Sequence, residues 1–500
     1  MSRTVDSDFL ALPLSATADA ALNAATIAGA SHVDVRIERV RTGSLQLRDS
    51  HPESQTDDTL TGVGVRVIVN GAWGFASSPE LSPETGAKLA KIAVAMARTS
   101  KPLSTEEIAL ASEPIYGKQT WVSMYEIDPF SISDGLKIAR LAQLSDKLLT
   151  SSTINHVSAS TMYVKEQKYY ADSYGTSTTQ QRVRVQAQIE AISVGDHGFE
   201  SMRTLAQPAG FGWEWMDNRV YNWDAEIDEL PGLLAEKVKA PSVEAGRYDL
   251  LIHPSNLFLT IHESIGHATE LDRAIGYEAN YAGTSFATPD KLGHLKYGSE
   301  LMNVIGDRTT AHGLSTVGFD DEGVAAQQWD IIKDGILVGY QLDRRIAARV
   351  GRDRSNGCAF ADSPAHVPIQ RMPNVSLQAN PVGPDLNQLI NSLEDGIYIK
   401  GDKSWSIDMQ RYNFQFTGQQ FHRIKNGKII GQVKDLAYQA TTTDFWGAMR
   451  TVGGPSTYVL GGAFNCGKGQ PGQVAAVSHG CPAAIFEKIN VLNTRSEGAA

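Results

Sequence analysis

The sequence predicts an α+β fold: a mixed helix and antiparallel-sheet first half, then a strand-rich second half. Three observations predict it. "RVRVQAQIEAI" sets Val183, Val185, Ala187, Ile189 and Ala191 against Arg182, Arg184, Gln186, Gln188 and Glu190. That period of two describes a strand with one apolar and one wet face, the mark of an antiparallel sheet rather than a doubly wound one. Next, Asn70-Gly71, Asp334-Gly335 and Asn426-Gly427 each separate two apolar runs, the strongest short-range hairpin signal. Finally, helical patterns gather in the first half, whereas short strands and turns crowd the second.

Taken in order, the alanine-rich "LSATADAALNAATIAGA" predicts a helix from Ala16 to Ala28, ending near Gly29. "HVDVRIERV" alternates Val33, Val35 and Ile37 against charged neighbours and reads as a half-buried strand. "GVGVRVIVNGAWGFA" is a hairpin about Asn70-Gly71. In "LSPETGAKLAKIAVAMART", Ser82 caps, Pro83 suits the first helical position, and Leu89, Ile92, Ala93 and Met96 line one face. Further helices are expected over Asp134–Leu149 and Glu226–Lys239. A composition shift after "GFGWEWMDN" places a domain boundary at 235–245, giving an N-terminal domain 1–240 and a C-terminal domain 241–500. The second opens with a short strand, "RYDLLIH", and a helix after Pro254.

Bulk properties narrow the function. The 500 residues imply more than one domain, and 42% hydrophobic with 20% charged residues is the composition of a folded enzyme. A net charge of −11 argues against a nucleic-acid surface, which needs concentrated Lys and Arg. Cys358, Cys466 and Cys481 are too few and too scattered for a disulfide framework and fit a reducing compartment. The amino terminus carries no basic segment followed by a sustained apolar one, and no run approaches the ~18 apolar residues of a membrane span. A cytoplasmic protein is the expectation, with neither membrane nor nucleic acid as partner.

"TIHESIGHATELDR" carries the chemistry. A zinc-protease helix has H-E-x-x-H, but here His262 and Glu263 are followed by Ser264, Ile265 and Gly266 before His267. On a regular α-helix, at roughly 100° per residue, this spacing splays the imidazoles roughly 140° apart. One turn bonded i to i+5 would return them to the same face, and such turns gather at functional sites. Gly266 would tolerate the departure. Glu263 is the carboxylate that a zinc hydrolase needs to take a proton from water. Catalytic zinc sites carry three protein ligands. Glu270, Asp272, Cys466, Cys481 and the remaining histidines are all candidates for the third, and spacing alone does not choose.

Other motifs are weaker. Gly462 to Lys468, "GAFNCGK", begins like a phosphate-binding loop, but Gly469 stands where Ser or Thr is needed and "GQPGQ" forbids the helix that should follow. The acidic "FDDEG", Asp320 to Glu322, reads as a solvated turn. His294, His312, His366, His422 and His479 stand alone, and Cys358 and Cys481 read as small apolar fillers.

Together, "TGVGVRVIVNGAWGFASS", "HESIGHATELDR", "VGFDDEGVAAQQWDIIKDGILVGYQLDR", "QRMPNVSL", "DGIYI", "IKNGKIIGQVKD" and "FNCGKGQPGQVAAVSHGCP" resemble the TldD/PmbA family, on its TldD side, across almost the whole chain. The resemblance implies a zinc metallopeptidase with an H-E-x-x-x-H signature. His262 and His267 would bind Zn2+, the third ligand would be Cys466 in the "CGK" block, and Glu263 would be the general base. Glu270 would then stand behind the metal or face substrate. The resemblance also implies unfolded or leader peptides as substrate, held in extended form, and a dimer with a PmbA-like subunit. "KGDKSWSID" and "SNGCAFADS" depart from the better-known members, which suggests a branch with its own substrate. The alternative is a non-catalytic subunit that binds peptide or a partner and carries a structural zinc.

Overall fold

The structure, a computed structural model, describes residues 4–196, 198–469 and 472–497. The fold is α+β. Its first sheet contains β1 (His32–Arg48), β2 (His51–Val69), β3 (Ala72–Ser78), β4 (Lys118–Val122), β5 (His156–Asp172), β6 (Ser177–Gly195) and β7 (Gly198–Arg203). The order is β3-β2-β1-β5-β6-β4, with β7 also on β6, and every pairing is antiparallel except β4 on β6. Asn70 (φ 49°) and Gly71 (φ 71°) make the expected two-residue turn.

One face of this sheet is apolar and covered by helices. Val33, Val35, Ile37, Val63, Val65 and Val67 pack against the helices Leu14–Ile27 and Pro83–Ser100. Farther along, Val185, Ala187 and Ile189 pack against the helices Asp134–Leu149 and Trp223–Lys239. Ser82 caps its helix by accepting from Thr85 N at 3.1 Å. The buried stripe of that helix differs from the expected one: Ala90, Ala93 and Ala97 face the sheet, while Ile92 and Met96 are 41% and 51% exposed. The helix backbone approaches β3 so closely that a Cβ on Gly74 would meet Ala93 O at 1.8 Å. Only small side chains fit that approach.

The opposite face is not wet, contrary to the expectation from alternation. Arg182 and Arg184 are buried and each pairs with Glu166 at 2.9 Å. Lys168 and Arg36 reach Asp321 at 2.7 and 3.4 Å, and Arg66 reaches Glu322 at 2.9 Å. "FDDEG" is therefore no solvated turn. It is the buried ionic contact through which the second half covers the sheet.

The second half is built on a closed ring of five strands: Asp395–Ile407, Gly246–Ile252, Ala484–Asn493, Leu436–Thr441 and Asn413–Lys425, the last returning to the first. Lys428–Val433 and Met449–Val452 extend it. Its core holds Leu250, Ile252, Ile397, Ile399, Phe416, Tyr438 and Phe486. The helix Pro254–Ile261 follows the Gly246–Ile252 strand and is wholly buried. Asn256 ties it to the ring, donating to Gly401 O and Thr417 O at 2.9 Å and accepting from Tyr438 Oη at 2.8 Å. Outside the ring, Val459–Lys468 pairs with Gln473–Cys481 alone among the described residues. Both remaining expected hairpins are present, with Asp334, Gly335, Asn426 and Gly427 all at positive φ. Among the described residues, no helix is long and apolar enough to cross a membrane.

Candidate metal centre

The helix Pro254–Ile261 continues into a wider turn over His262–Gly266, closed by a hydrogen bond from His267 N to His262 O, the i to i+5 bond that a spacing of five demands. A tight turn at His267–Thr269 follows. Side chains occupy the carbonyls of this distorted stretch. Gln341 Nε2 donates to Gly266 O at 2.6 Å, Thr269 Oγ1 to Ile265 O at 2.8 Å, and Tyr297 Oη to Ser264 O. Gly266 itself has ordinary helical angles (φ −52°), so conformational freedom is not why it is glycine. A Cβ there would meet Met372 Sδ at 2.5 Å. The glycine makes room for packing.

The wide turn brings the His262 and His267 rings to a centroid separation of 4.7 Å. Cys466 arrives from the strand Val459–Lys468, whose register slips between Ala463 and Cys466, an irregularity of the kind that re-aims side chains. Arg371 donates to Cys466 O and, at 3.0 Å, to Gln473 O, pinning both strands of that hairpin. One ligand atom from each of His262, His267 and Cys466 lies within 4.8 Å of the others, and all three residues are buried. Among the described residues this is the single group of three or more such side chains that could hold a metal ion. Of the other candidates, Cys481 Sγ faces Pro254 O, and Glu270 turns behind His267.

The imidazoles are held in one tautomer. His479 Nδ1 donates to Val375 O at 2.9 Å, so its Nε2 must accept, and it accepts from His262 Nδ1 at 2.7 Å. That leaves the His262 Nε2 lone pair free. Burial pushes His479 well below the usual imidazole range and lowers His262, so both are neutral. On the other ring, His267 Nδ1 donates to Glu270 Oε2 at 2.8 Å, and its Nε2 faces Cys466 Sγ at 3.6 Å. Burial alone would raise Glu270, but Lys468, His267 and Arg273 outweigh it and keep the carboxyl well below its usual range. The sequence marks His479 only as a lone histidine and does not foretell its place behind His262. The residue lies in the strand Gln473–Cys481 with no local pattern to mark it.

The three cysteines divide in the same way. Burial pushes Cys358 up to about 12 and raises Cys481. Cys466 is as deeply buried, yet His267 and Arg371 bring its thiol below the ordinary value. Two imidazoles, one with its Nε2 lone pair free and the other with its Nε2 against Cys466 Sγ, and a lowered thiol form a donor set that suits zinc.

Glu263 stands beside this cluster, 7% exposed. Burial raises its carboxyl, but His267, His262 and Arg411 together bring it below its usual range. Arg411 Nη1 donates to Glu263 Oε2 at 3.0 Å and its Nη2 to Ala282 O at 3.0 Å. The cluster opens on a cleft of about 360 Å³ bordered by Gln186, Gln188 and Gln207, by Trp405 and Arg411, and by the Gly462–Gly467 edge. The phosphate-loop reading of that edge fails, because Gly462–Lys468 is strand; Gln470 and Pro471 lie outside the described residues.

An α+β chain with a buried His/His/Cys group beside a carboxylate has the makings of a metal-dependent hydrolase. The comparisons with known proteins agree. Residues 245–493 match the PmbA/TldA metallopeptidase C-terminal domain, and residues 33–97 match PmbA/TldA metallopeptidase domain 1. A metalloprotease of Methanocaldococcus jannaschii is 27% identical, the match covering 83% of this chain and 87% of that protein. A zinc metalloprotease TldD homolog of Saccharolobus solfataricus is 23% identical over 93% of this chain and 97% of its own. The crystal structure of TldE from Thermococcus kodakarensis superposes with a TM-score of 0.73 at 13% identity, covering 94% of this chain and 98% of that one. The chain belongs to the PmbA/TldD family of metallopeptidases.

Proposed function

We propose that the chain is a zinc-dependent peptidase acting on unfolded or leader peptides held in extended form, with His262, His267 and Cys466 as metal ligands. The wide turn at His262–Gly266 carries the reading, because it alone turns a spacing that would separate two imidazoles into one that joins them. Zinc bound there would supply Lewis-acid polarisation of a carbonyl and make water more acidic. Glu263 is the general base: it accepts a proton from the attacking water on a carboxylate oxygen and returns it to the leaving amine. Arg411 positions that carboxylate and favours its ionised form. Among the described residues no strand pairs with the second edge of Val459–Lys468, which borders the cleft, and an extended peptide added there would be read through its backbone. The amides of Gln186 and Gln188 would serve the same loose selectivity.

Two domains, 1–240 and 241–500, assembly with a PmbA-like subunit and a cytoplasmic setting complete the proposal. Against the alternative, a structural zinc in a non-catalytic subunit, stands the count of ligands. A structural site closes with a fourth protein ligand, and the group here has three members among the described residues. The test is peptide cleavage by wild type, Glu263→Ala and Cys466→Ala, with zinc content measured for each. Zinc retained but activity down about 10²–10⁴-fold in Glu263→Ala is expected. Full activity in that variant would remove the mechanism, and wild-type zinc content in Cys466→Ala would remove Cys466 as a ligand.

A further inference from the structure

A second cavity, of about 510 Å³, lies between the first sheet and the second half, and no residue lines both it and the metal-site cleft. Trp73, Phe75 and Met96 supply one apolar wall, and Ile346 and Pro368 another. Four carboxylates also border it: Asp272, Glu278, Glu322 and Asp343. Three of them are already engaged. Asp272 accepts from Lys468 Nζ at 2.8 Å, Glu322 from Arg66 Nη1 at 2.9 Å and Arg344 N at 2.8 Å, and Asp343 from Ile346 N at 2.7 Å.

Glu278 is different. It is 5% exposed, and its Oε2 has no hydrogen-bond partner among the described residues. The two bordering arginines do not serve it, since Arg66 is held by Asp34 and Glu322 and Arg345 by Glu106. Gln370, 1% exposed, borders the same cavity with the complementary deficit: its Oε1 accepts from Asp272 N at 3.3 Å, while its Nε2 has no acceptor among the described residues. A buried acceptor and a buried donor left unmade are each costly, and here both stand at one cavity. The carboxylates are too dispersed to bind a metal ion, because none belongs to a converging group.

We propose that this cavity binds the free amino terminus of a peptide whose first side chain is apolar. The ammonium pairs with Glu278, the first carbonyl accepts from Gln370 Nε2, and the side chain packs between Trp73, Phe75 and Ile346. A metal ion would need carboxylates gathered at one point, and a simple alkyl amine would leave Gln370 unpaired. The site stands apart from the proposed hydrolysis, so it can be tested without any peptidase activity.

Isothermal titration of the full chain with L-leucinamide, N-acetyl-L-leucinamide and isopentylamine tests it, alongside Glu278→Gln and Met96→Arg. Met96 is exposed at the rim, so its replacement sets a competing cation over the cavity without disturbing the core. Leucinamide is expected to bind at least about tenfold more tightly than its acetylated form, the scale of one charged hydrogen bond, and more tightly than isopentylamine, and both variants should lose the advantage over the acetylated form. Acetylated probe binding as tightly as leucinamide, or leucinamide binding unchanged in both variants, would overturn the site. Isopentylamine binding as tightly as leucinamide would overturn its assignment to a peptide end. The same titration in Glu263→Ala keeps the two readings apart, since binding there persists whether or not hydrolysis is real.

Discussion

The cluster around His262 and the ionic layer around Asp321 are both buried and polar, yet their groups are used in opposite ways. In the layer, Arg36, Lys168 and Asp321, like Arg182, Arg184 and Glu166, meet partners within the protein. In the cluster, hydrogen bonds are placed behind the working atoms: His479 and Glu270 take the Nδ1 protons, leaving both Nε2 atoms facing Cys466 or the cleft. Buried charges paired across the seam hold two halves of a fold together. Buried polarity with its free lone pairs pointed to one place can take a ligand.

Breaking the layer gives the largest expected effect on stability. Asp321→Ala leaves Lys168 and Arg36 without their shared carboxylate and should cost about 3–5 kcal/mol in denaturant unfolding. Zinc bound per folded molecule should not change; a parallel loss of zinc would mean that the two regions are not separable. On the other side of the comparison, His479→Ala releases the His262 tautomer. Zinc affinity per folded molecule, measured by competition with a chelator, should weaken about 10–100-fold. Unchanged affinity would reduce His479 to packing.

Gly266→Ala probes the turn itself. The new methyl meets Met372, and overpacking of this kind costs about 1–3 kcal/mol. In the Met372→Ala background, which is itself destabilised because Met372 is fully buried, Gly266→Ala should add little further cost, whereas a conformational demand for glycine would leave its cost the same in both backgrounds.

The gentlest probe is pH. Burial pushes Glu38 up to about 7, against the pull of Arg36 and Lys168. The folded chain thus keeps a proton that the unfolded chain releases near the ordinary 4.5. This contribution is fully present below pH 4.5 and is lost as pH rises to 7, at up to about 1.4 kcal/mol per pH unit. Glu38→Gln should therefore gain on wild type across that window and hold level above it. A difference that stays flat with pH would show that Glu38 is ionised throughout.

Much of this was readable from residue order. Alternation located β6, the Asn-Gly and Asp-Gly pairs located the hairpins, and the five-residue spacing of His262 and His267 implied the wide turn. The errors share a cause. Alternation predicts a wet face for Arg182 and Arg184, and an acidic turn predicts one for Asp320 and Glu322, because neither pattern tells what covers a face. Met96 was assigned to the buried stripe because periodicity does not reveal how closely Gly74 lets the helix approach.

By itself, then, the sequence determined what depends on neighbours along the chain: strand periods, turn dihedrals, and the need for an i to i+5 bond between His262 and His267. Backbone geometry repeats over a few residues, so local order suffices for it. Only the tertiary structure decided what depends on distant segments. It brought Cys466 to the histidines, set His479 behind His262, buried the polar face of the first sheet against Asp321, and left Glu278 Oε2 and Gln370 Nε2 without partners among the described residues at a second cavity. Those outcomes rest on packing between chain segments far apart in sequence, and no local pattern encodes them.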